Sequence, residues 1–264
     1  MSLVFACVSA HTPLLMPTIA KDSISLVDKT RQAMLELEKE LYLAKPDTLV
    51  VITPHGPSLP DSVVINMSPE YITNFEEFGD LVTKSKWKSC MMLIDRIRED
   101  FKLKHLPLSL DSVPELDYGA AVPLWYLTQH LPDIKVIPVV TSQLDMKTHY
   151  NIGKELKDEL MSSINRVAVI ASADLSHRVG EQSPEGLSPK GVAFDDKVLD
   201  MITKGNVVGM LDFDEEWLAE AKCCGSKVLA TLAGVLDEVK YSPRVFSYER
   251  PFGVGYLVAE MKIA

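Results

Sequence analysis

Four side chains carry most of the reactive chemistry of this 264-residue chain: His11, His55, Asp174 and His177. Each follows closely on an apolar, β-rich run. LVFACVSA leads into His11, TLVVIT leads through Pro54 into His55, and VAVIASA leads into Asp174 and then His177. In open α/β sheets, ligands bind in the crevice outside the carboxyl ends of the strands. If the three runs are parallel neighbours, the four residues meet in one place. Imidazole is the commonest metal ligand, and two histidines with one carboxylate form the open facial set of non-haem iron(II) oxygenases. The pattern therefore predicts one divalent metal, iron(II) first, between His11 and His55. His177 would serve as general acid or base, because imidazole titrates near neutral pH. Asp174 would orient that ring or a ligand water. Zinc-dependent hydrolysis also suits two histidines and a third ligand and stays open behind the iron reading. His105, His130 and His149 stand in loop or helix-end contexts and read as structural.

Other chemistries lack their motifs. There is no G-x-S-x-G elbow, and Ser176 beside His177 has no special context. Neither a P-loop nor G-x-G-x-x-G follows any strand, since Gly253-Val254-Gly255 lies inside the closing hairpin.

The elements that must position these residues alternate along the chain. After the strand at 3–9, Val27, Thr30, Met34, Leu37 and Leu41 form one helical stripe. Asp22 or Ser23 is the expected cap, and Pro46 the stop. The strand at 48–53 precedes a looser stretch, 56–86, in which SVVINM reads as a strand. Residues 87–99 have mixed helical character, and 101–117 read as irregular, broken by Pro107 and Pro114. Helix at 119–130, strand at 135–140, helix at 149–164 and strand at 167–173 follow. Further helices are expected at 190–203 and 224–239, the latter with Val228, Leu232, Val235 and Val239 on one face. RVFSYE and GVGYLVAEM close the chain as two antiparallel strands. This order predicts an α/β fold in a single domain, 1–264. A central, mostly parallel sheet is flanked by helices, with an antiparallel C-terminal hairpin.

Composition bounds the partners. Hydrophobic residues make up 47% and charged residues 24%, as in ordinary globular proteins. With 27 Lys+Arg against 37 Asp+Glu the net charge is −10, and no basic cluster offsets it, so nucleic acid is not an expected partner. The apolar opening MSLVFACVSAHTPLLM has no early cation (the first is Lys21), which argues against a secretory signal. No segment reaches the roughly 20 apolar residues of a membrane helix. Cys7, Cys90, Cys223 and Cys224 form no spaced framework, and adjacent cysteines bridge only with strain. Reduced thiols in a cytoplasm are the simpler reading.

Taken together, SAHTPLLMP around His11, ITPHGP around His55, LDYGAAVPLWYL around Asp117-Tyr118-Gly119 and SADLSHR around Asp174 and His177 are familiar. They resemble the catalytic subunit of class III extradiol ring-cleavage dioxygenases. Memo-like proteins share that fold, and the resemblance reaches them too. It spans almost the whole chain, because EAKCCGSKVLATLAGVL and PFGVGYLVAEM also match. The resemblance implies an oxidoreductase with iron(II) bound by two histidines and a carboxylate. Its co-substrate would be dioxygen, and its substrate a small catechol- or aminophenol-like aromatic. It also implies that His11 and His55 hold the metal, that His177 is the acid/base histidine and that Asp174 is its acidic neighbour. A homodimer or a small second subunit, as family members often have, is a further implication of the resemblance.

Two departures stand out. Tyr118 replaces the histidine of a D-H-G motif, and a phenol with pKa near 10 is a poor proton shuttle at neutral pH. The segment often written E-A-x-E-C-G reads Glu220-Ala221-Lys222-Cys223-Cys224-Gly225 here. The third ligand is then Glu220, Cys223 or Cys224, the last matching the metal-site cysteine of Memo-like proteins. A thiolate favours a softer metal or a redox role without ring cleavage. Trp125, Tyr126 and Phe252 are expected near the pocket.

Overall fold

The computed structural model describes residues 2–183 and 185–264. The chain begins with β1 (Leu3–Ser9), a short helix α1 (Pro17–Ala20), the long helix α2 (Asp28–Ala44) and β2 (Thr48–Thr53). Three short strands follow, β3 (Val63–Asn66), β4 (Glu70–Thr73) and β5 (Lys86–Ser89), before α3 (Met91–Leu103). Then come β6 (Leu108–Asp111), β7 (Glu115–Leu116), α4 (Tyr118–Leu127), β8 (Lys135–Val140), α5 (Met146–Met161) and β9 (Val167–Ser172). The last third holds α6 (Pro189–Lys204), α7 (Glu215–Ala221), α8 (Ser226–Val235), β10 (Tyr241–Glu249) and β11 (Tyr256–Ile263).

Among the described residues these eleven strands form one sheet, with the main order β10-β11-β1-β9-β2-β8-β5-β4-β7. Its centre is parallel: β1 with β9, β9 with β2, and β2 with β8. The closing hairpin β10–β11 is antiparallel and adds to β1. Successive side chains of a strand point to opposite faces. Accordingly Val50, Ile52, Val169 and Ala171 enter a core under α3, α5, α6 and α8. Leu49, Val51, Ala168 and Ile170 enter the other core, under α2 and α4. Helices on both faces explain why the central strands read as unbroken apolar runs.

Several boundaries differ from the sequence expectation. Residues 21–27 form a 3-10 turn, so Asp22 and Ser23 do not cap α2; that helix starts after Val27 with no side-chain cap. The tighter turn runs straight into the helix and supplies its own backbone bonds. At the other end Lys45 turns left-handed (φ 48°) just before Pro46. The stretch 101–117 is not irregular, because β6 pairs with β3 and β7 with β4. Strands of four and two residues are too short to show a period. The helix expected at 224–239 ends at Val235, leaving Val239 beyond it, and α7 was not anticipated. No helix among the described residues is long and apolar enough to cross a membrane.

Candidate metal centre

One register rule assembles the site. Ser9 of β1 lies level with Ser172 of β9, and Ile52 of β2 lies level with Ala171. His11, Asp174 and His55 each stand two residues beyond Ser9, Ser172 and Thr53. Equal offsets from level strand ends bring three side chains to one height above neighbouring strands. His11 and Asp174 are buried there.

The two imidazoles meet edge to face, 86° between planes, with their Nε2 atoms 3.2 Å apart. Cys224 Sγ lies 3.6 Å from His11 Nε2. The ligand atoms of His11, His55 and Cys224 all fall within 4.8 Å of one another. Asp174 Oδ1 accepts the His11 backbone N–H at 2.9 Å, and its Oδ2 lies 3.6 Å from His11 Nε2. The Asp174 carbonyl accepts from Gly225 N (3.2 Å) and from both thiols, Cys223 at 3.5 Å and Cys224 at 3.6 Å. The cysteine turn thus hangs from the strand end that carries Asp174. Tyr118 stacks on His55, its hydroxyl 3.0 Å from Nε2, and Phe78 packs edge-on against Tyr118.

Burial dominates the electrostatics. It pushes His11 down to about 3, aided by His177 and partly offset by a Ser172 backbone bond. His55 also falls to about 3, through burial first and then His11 and His177. Both rings are therefore neutral at neutral pH, the form that ligates metal. Burial raises Asp174 to about 7, against the opposing pull of the His11 N–H and His177. It raises the Cys224 thiol well above its usual range, with Asp174 and Cys223 adding to it. His177 Nε2 is buried and has no hydrogen-bond partner among the described residues. Neutral imidazoles, a carboxyl and a thiol whose ionisation burial opposes, and a ring nitrogen without a partner form a donor set that a divalent cation would satisfy. A bound divalent ion inverts that pKa pattern. The residues present fit such an ion.

Glu220, one of the expected ligands, does not join this group. Its Oε1 accepts from Arg178 and Ser188, each at 2.8 Å, and ties these two residues to α7. The cause is local. α7 ends at Ala221 and Lys222 is left-handed (φ 52°), so Glu220 and Cys224 do not share a helical face. Cys223 reaches the Asp174 carbonyl but is not in the ligand group. Of the expected aromatic neighbours, Tyr126 is buried with its hydroxyl on the Leu15 carbonyl, and Trp125 lines a surface groove with Trp87 and Pro132. Neither reaches the histidines. His149 is structural, accepting the Ser142 N–H at Nε2, and His130 bonds Glu38.

Residues without a ligand or acid/base role in the sequence reading hold the site together. Thr53 Oγ1 donates to Asp117 Oδ1 and accepts the His55 N–H. Asp117 caps α4 through Ala120 N, and burial raises its carboxyl to about 6. A Cβ on Gly119 would sit 2.5 Å from Thr53 Oγ1 and 2.9 Å from the His55 ring, so α4 can approach only with glycine there. Asp195, fully buried in α6, accepts from Ser176 N and from the Tyr248 hydroxyl, anchoring the loop that carries His177. The aspartate of the D-Y-G motif was the one available signal, as a helix cap.

Comparison with known proteins agrees with this architecture. The chain is 26% identical over 261 residues to Protein CA_C1420 of Clostridium acetobutylicum; the match covers 96% of this chain but only 56% of that protein. It is 26% identical over 212 residues to the 4,5-DOPA dioxygenase extradiol of Beta vulgaris, covering 75% of this chain and 72% of that one. The fold matches that of the uncharacterized protein JW3007 from Escherichia coli K12, with a TM-score of 0.67 at 16% identity over 98% of this chain and 99% of that one. Residues 5–259 match the family model of the catalytic LigB subunit of aromatic ring-opening dioxygenase, and the chain belongs to that family.

Proposed function

We propose that this protein is a metal-dependent oxidoreductase that uses dioxygen on a small catechol- or aminophenol-like aromatic, with His11, His55 and Cys224 holding the metal. The observation that carries the reading is the convergence of two Nε2 atoms and one Sγ within 4.8 Å, beside a buried histidine nitrogen with no partner. Family membership and the similarity to a plant extradiol dioxygenase support it. A ferrous ion held there would supply the open coordination positions and one-electron reactivity that oxygen chemistry requires. The chain's own residues do the rest. His177 takes or returns a proton at Nε2. Asp174 holds the His11 backbone and supports the cysteine turn. Tyr118 donates its hydroxyl to bound substrate, and Phe78 backs its ring against water. We assign the whole of residues 1–264 to this one unit, and the four free thiols fit a reducing cytoplasm.

Cys224 in place of a carboxylate specifically favours a second reading, a Memo-like metal protein with a redox or interaction role and no ring cleavage. Loading the protein with Fe(II) without oxygen and exposing it to a panel of catechols and aminophenols separates the two. Oxygen uptake with a yellow ring-opened product is expected. No uptake across the panel, with iron verified at one per chain, overturns ring cleavage and leaves the second reading. Zinc alone after reconstitution with mixed metals would move the assignment to hydrolysis.

A further inference from the structure

Helix α4 contains a proline, Pro123, in its interior. In a helix the N–H of residue 123 would bond the carbonyl of residue 119, and proline has no N–H to give. The Gly119 carbonyl is therefore left without its helical donor, in a buried position where a carbonyl needs one. The donor comes from another element. The hydroxyl of Ser172, the fully buried last residue of β9, bonds to that carbonyl. A serine hydroxyl carries one proton. Once it is given to Gly119, only lone pairs remain to face the next neighbour, His11 Nδ1, at 2.9 Å. That contact is attractive only if Nδ1 carries the ring proton. A neutral imidazole has one N–H, so Nε2 is bare, and Nε2 is the atom turned toward His55 Nε2 and Cys224 Sγ.

We infer that Ser172 is a positioning residue that fixes His11 as its Nδ1–H tautomer and so presents the Nε2 lone pair to the site. The relay runs from the missing N–H of Pro123, through the Gly119 carbonyl and the Ser172 hydroxyl, to a ring 161 residues from Ser172 in sequence. His55 is set differently. The Tyr118 hydroxyl lies 3.3 Å from its Nδ1 and 3.0 Å from its Nε2, and a phenol can donate or accept at either. His11 is thus the pre-set ligand and His55 the adaptable one. The consequence for metal affinity rests on the metal-site reading above, whereas the tautomer itself does not.

Nitrogen-15 NMR of histidine-labelled, metal-free protein tests the tautomer directly. In the wild type, His11 is expected to show a protonated Nδ1 and a bare Nε2. Ser172→Ala is expected to give a mixture of tautomers and to weaken Zn(II) and Fe(II) binding about 10–100-fold, the usual effect of losing an outer hydrogen bond to a ligand histidine. Ser172→Thr, which keeps the hydroxyl, is expected to restore both. A proton on Nε2 in the wild type overturns the inference, even if the alanine variant does not fold. So does a Ser172→Ala protein that keeps a pure Nδ1–H tautomer. A wild type with the expected tautomer that binds neither metal overturns the metal-site reading and leaves the role of Ser172 standing.

Discussion

The central strands carry polar clusters at both of their ends, amino and carboxyl, and the two clusters are built for different purposes. At the amino end Asp47 accepts from Asn165 Nδ2 (2.9 Å), Thr48 Oγ1 (2.8 Å) and Arg166 N (3.0 Å). The Arg166 guanidinium in turn bonds the carbonyls of Lys45 and Ala44. Each of these donors meets an acceptor. At the carboxyl end the two histidines face each other, burial raises the pKa of the Asp174 carboxyl and of the Cys224 thiol, and one imidazole nitrogen has no partner among the described residues. Among the described residues no lysine or arginine pairs with Asp174. A buried polar group without a partner is destabilising by about 1–3 kcal/mol. The amino end spends its polar groups on the fold; the carboxyl end gathers groups that could hold a metal ion.

The sharpest way to break this contrast is to remove the ligands. His11→Ala and His55→Ala are each expected to lower metal affinity by more than about 100-fold, beyond what an outer contact contributes, as read by competition with a chelator. Cys224→Ala should do the same, whereas Glu220→Ala should keep the metal and only loosen the Arg178 tie. Metal lost with Glu220→Ala and kept with Cys224→Ala would reverse the assignment of the third ligand.

A second contrast is pH. Burial raises Asp195 to about 7 in the folded chain, and an unfolded aspartate titrates near about 4. Between those values the native state keeps a proton that the unfolded state releases, so stability falls as pH climbs through the window and then levels off. Asp195→Asn should flatten that fall by on the order of 2 kcal/mol in urea titrations across pH 4 to 7; Asp174, raised in the same way, keeps the remainder. An unchanged slope would remove Asp195 from this account. The smallest effect is expected at the closed end. Asp47→Ala should lower stability by about 1 kcal/mol, since Asp47 is solvent-exposed, and leave metal affinity unaltered. A loss of metal affinity there would end the separation of the two strand ends.

Much of the site could be read along the chain because strand ends mark themselves. LVFACVS, TLVVIT and VAVIAS are unmistakable as buried strands, and the polar residues just beyond them are where an α/β fold gathers ligands. What could not be read were bonds between distant segments. Ser172 looks like the last small residue of a strand until its hydroxyl is seen between Gly119 and His11. Trp125 and Tyr126 were expected near the pocket, yet α4 turns Trp125 to a surface groove and Tyr126 to Leu15.

The amino-acid sequence by itself determined the alternating order of the main elements, the apolar central strands, the two histidines and the antiparallel close. These follow from local patterns: runs without alternation, helical stripes, and turns at proline and glycine. Only the tertiary structure decided that β9 lies between β1 and β2, which puts Asp174 between the two histidines' strands. Only the tertiary structure decided that Cys224, and not Glu220, meets the imidazoles. The reason is a single left-handed residue, Lys222, that ends a helix between them. A turn of that kind redirects every side chain after it, and spacing in sequence carries no record of the direction.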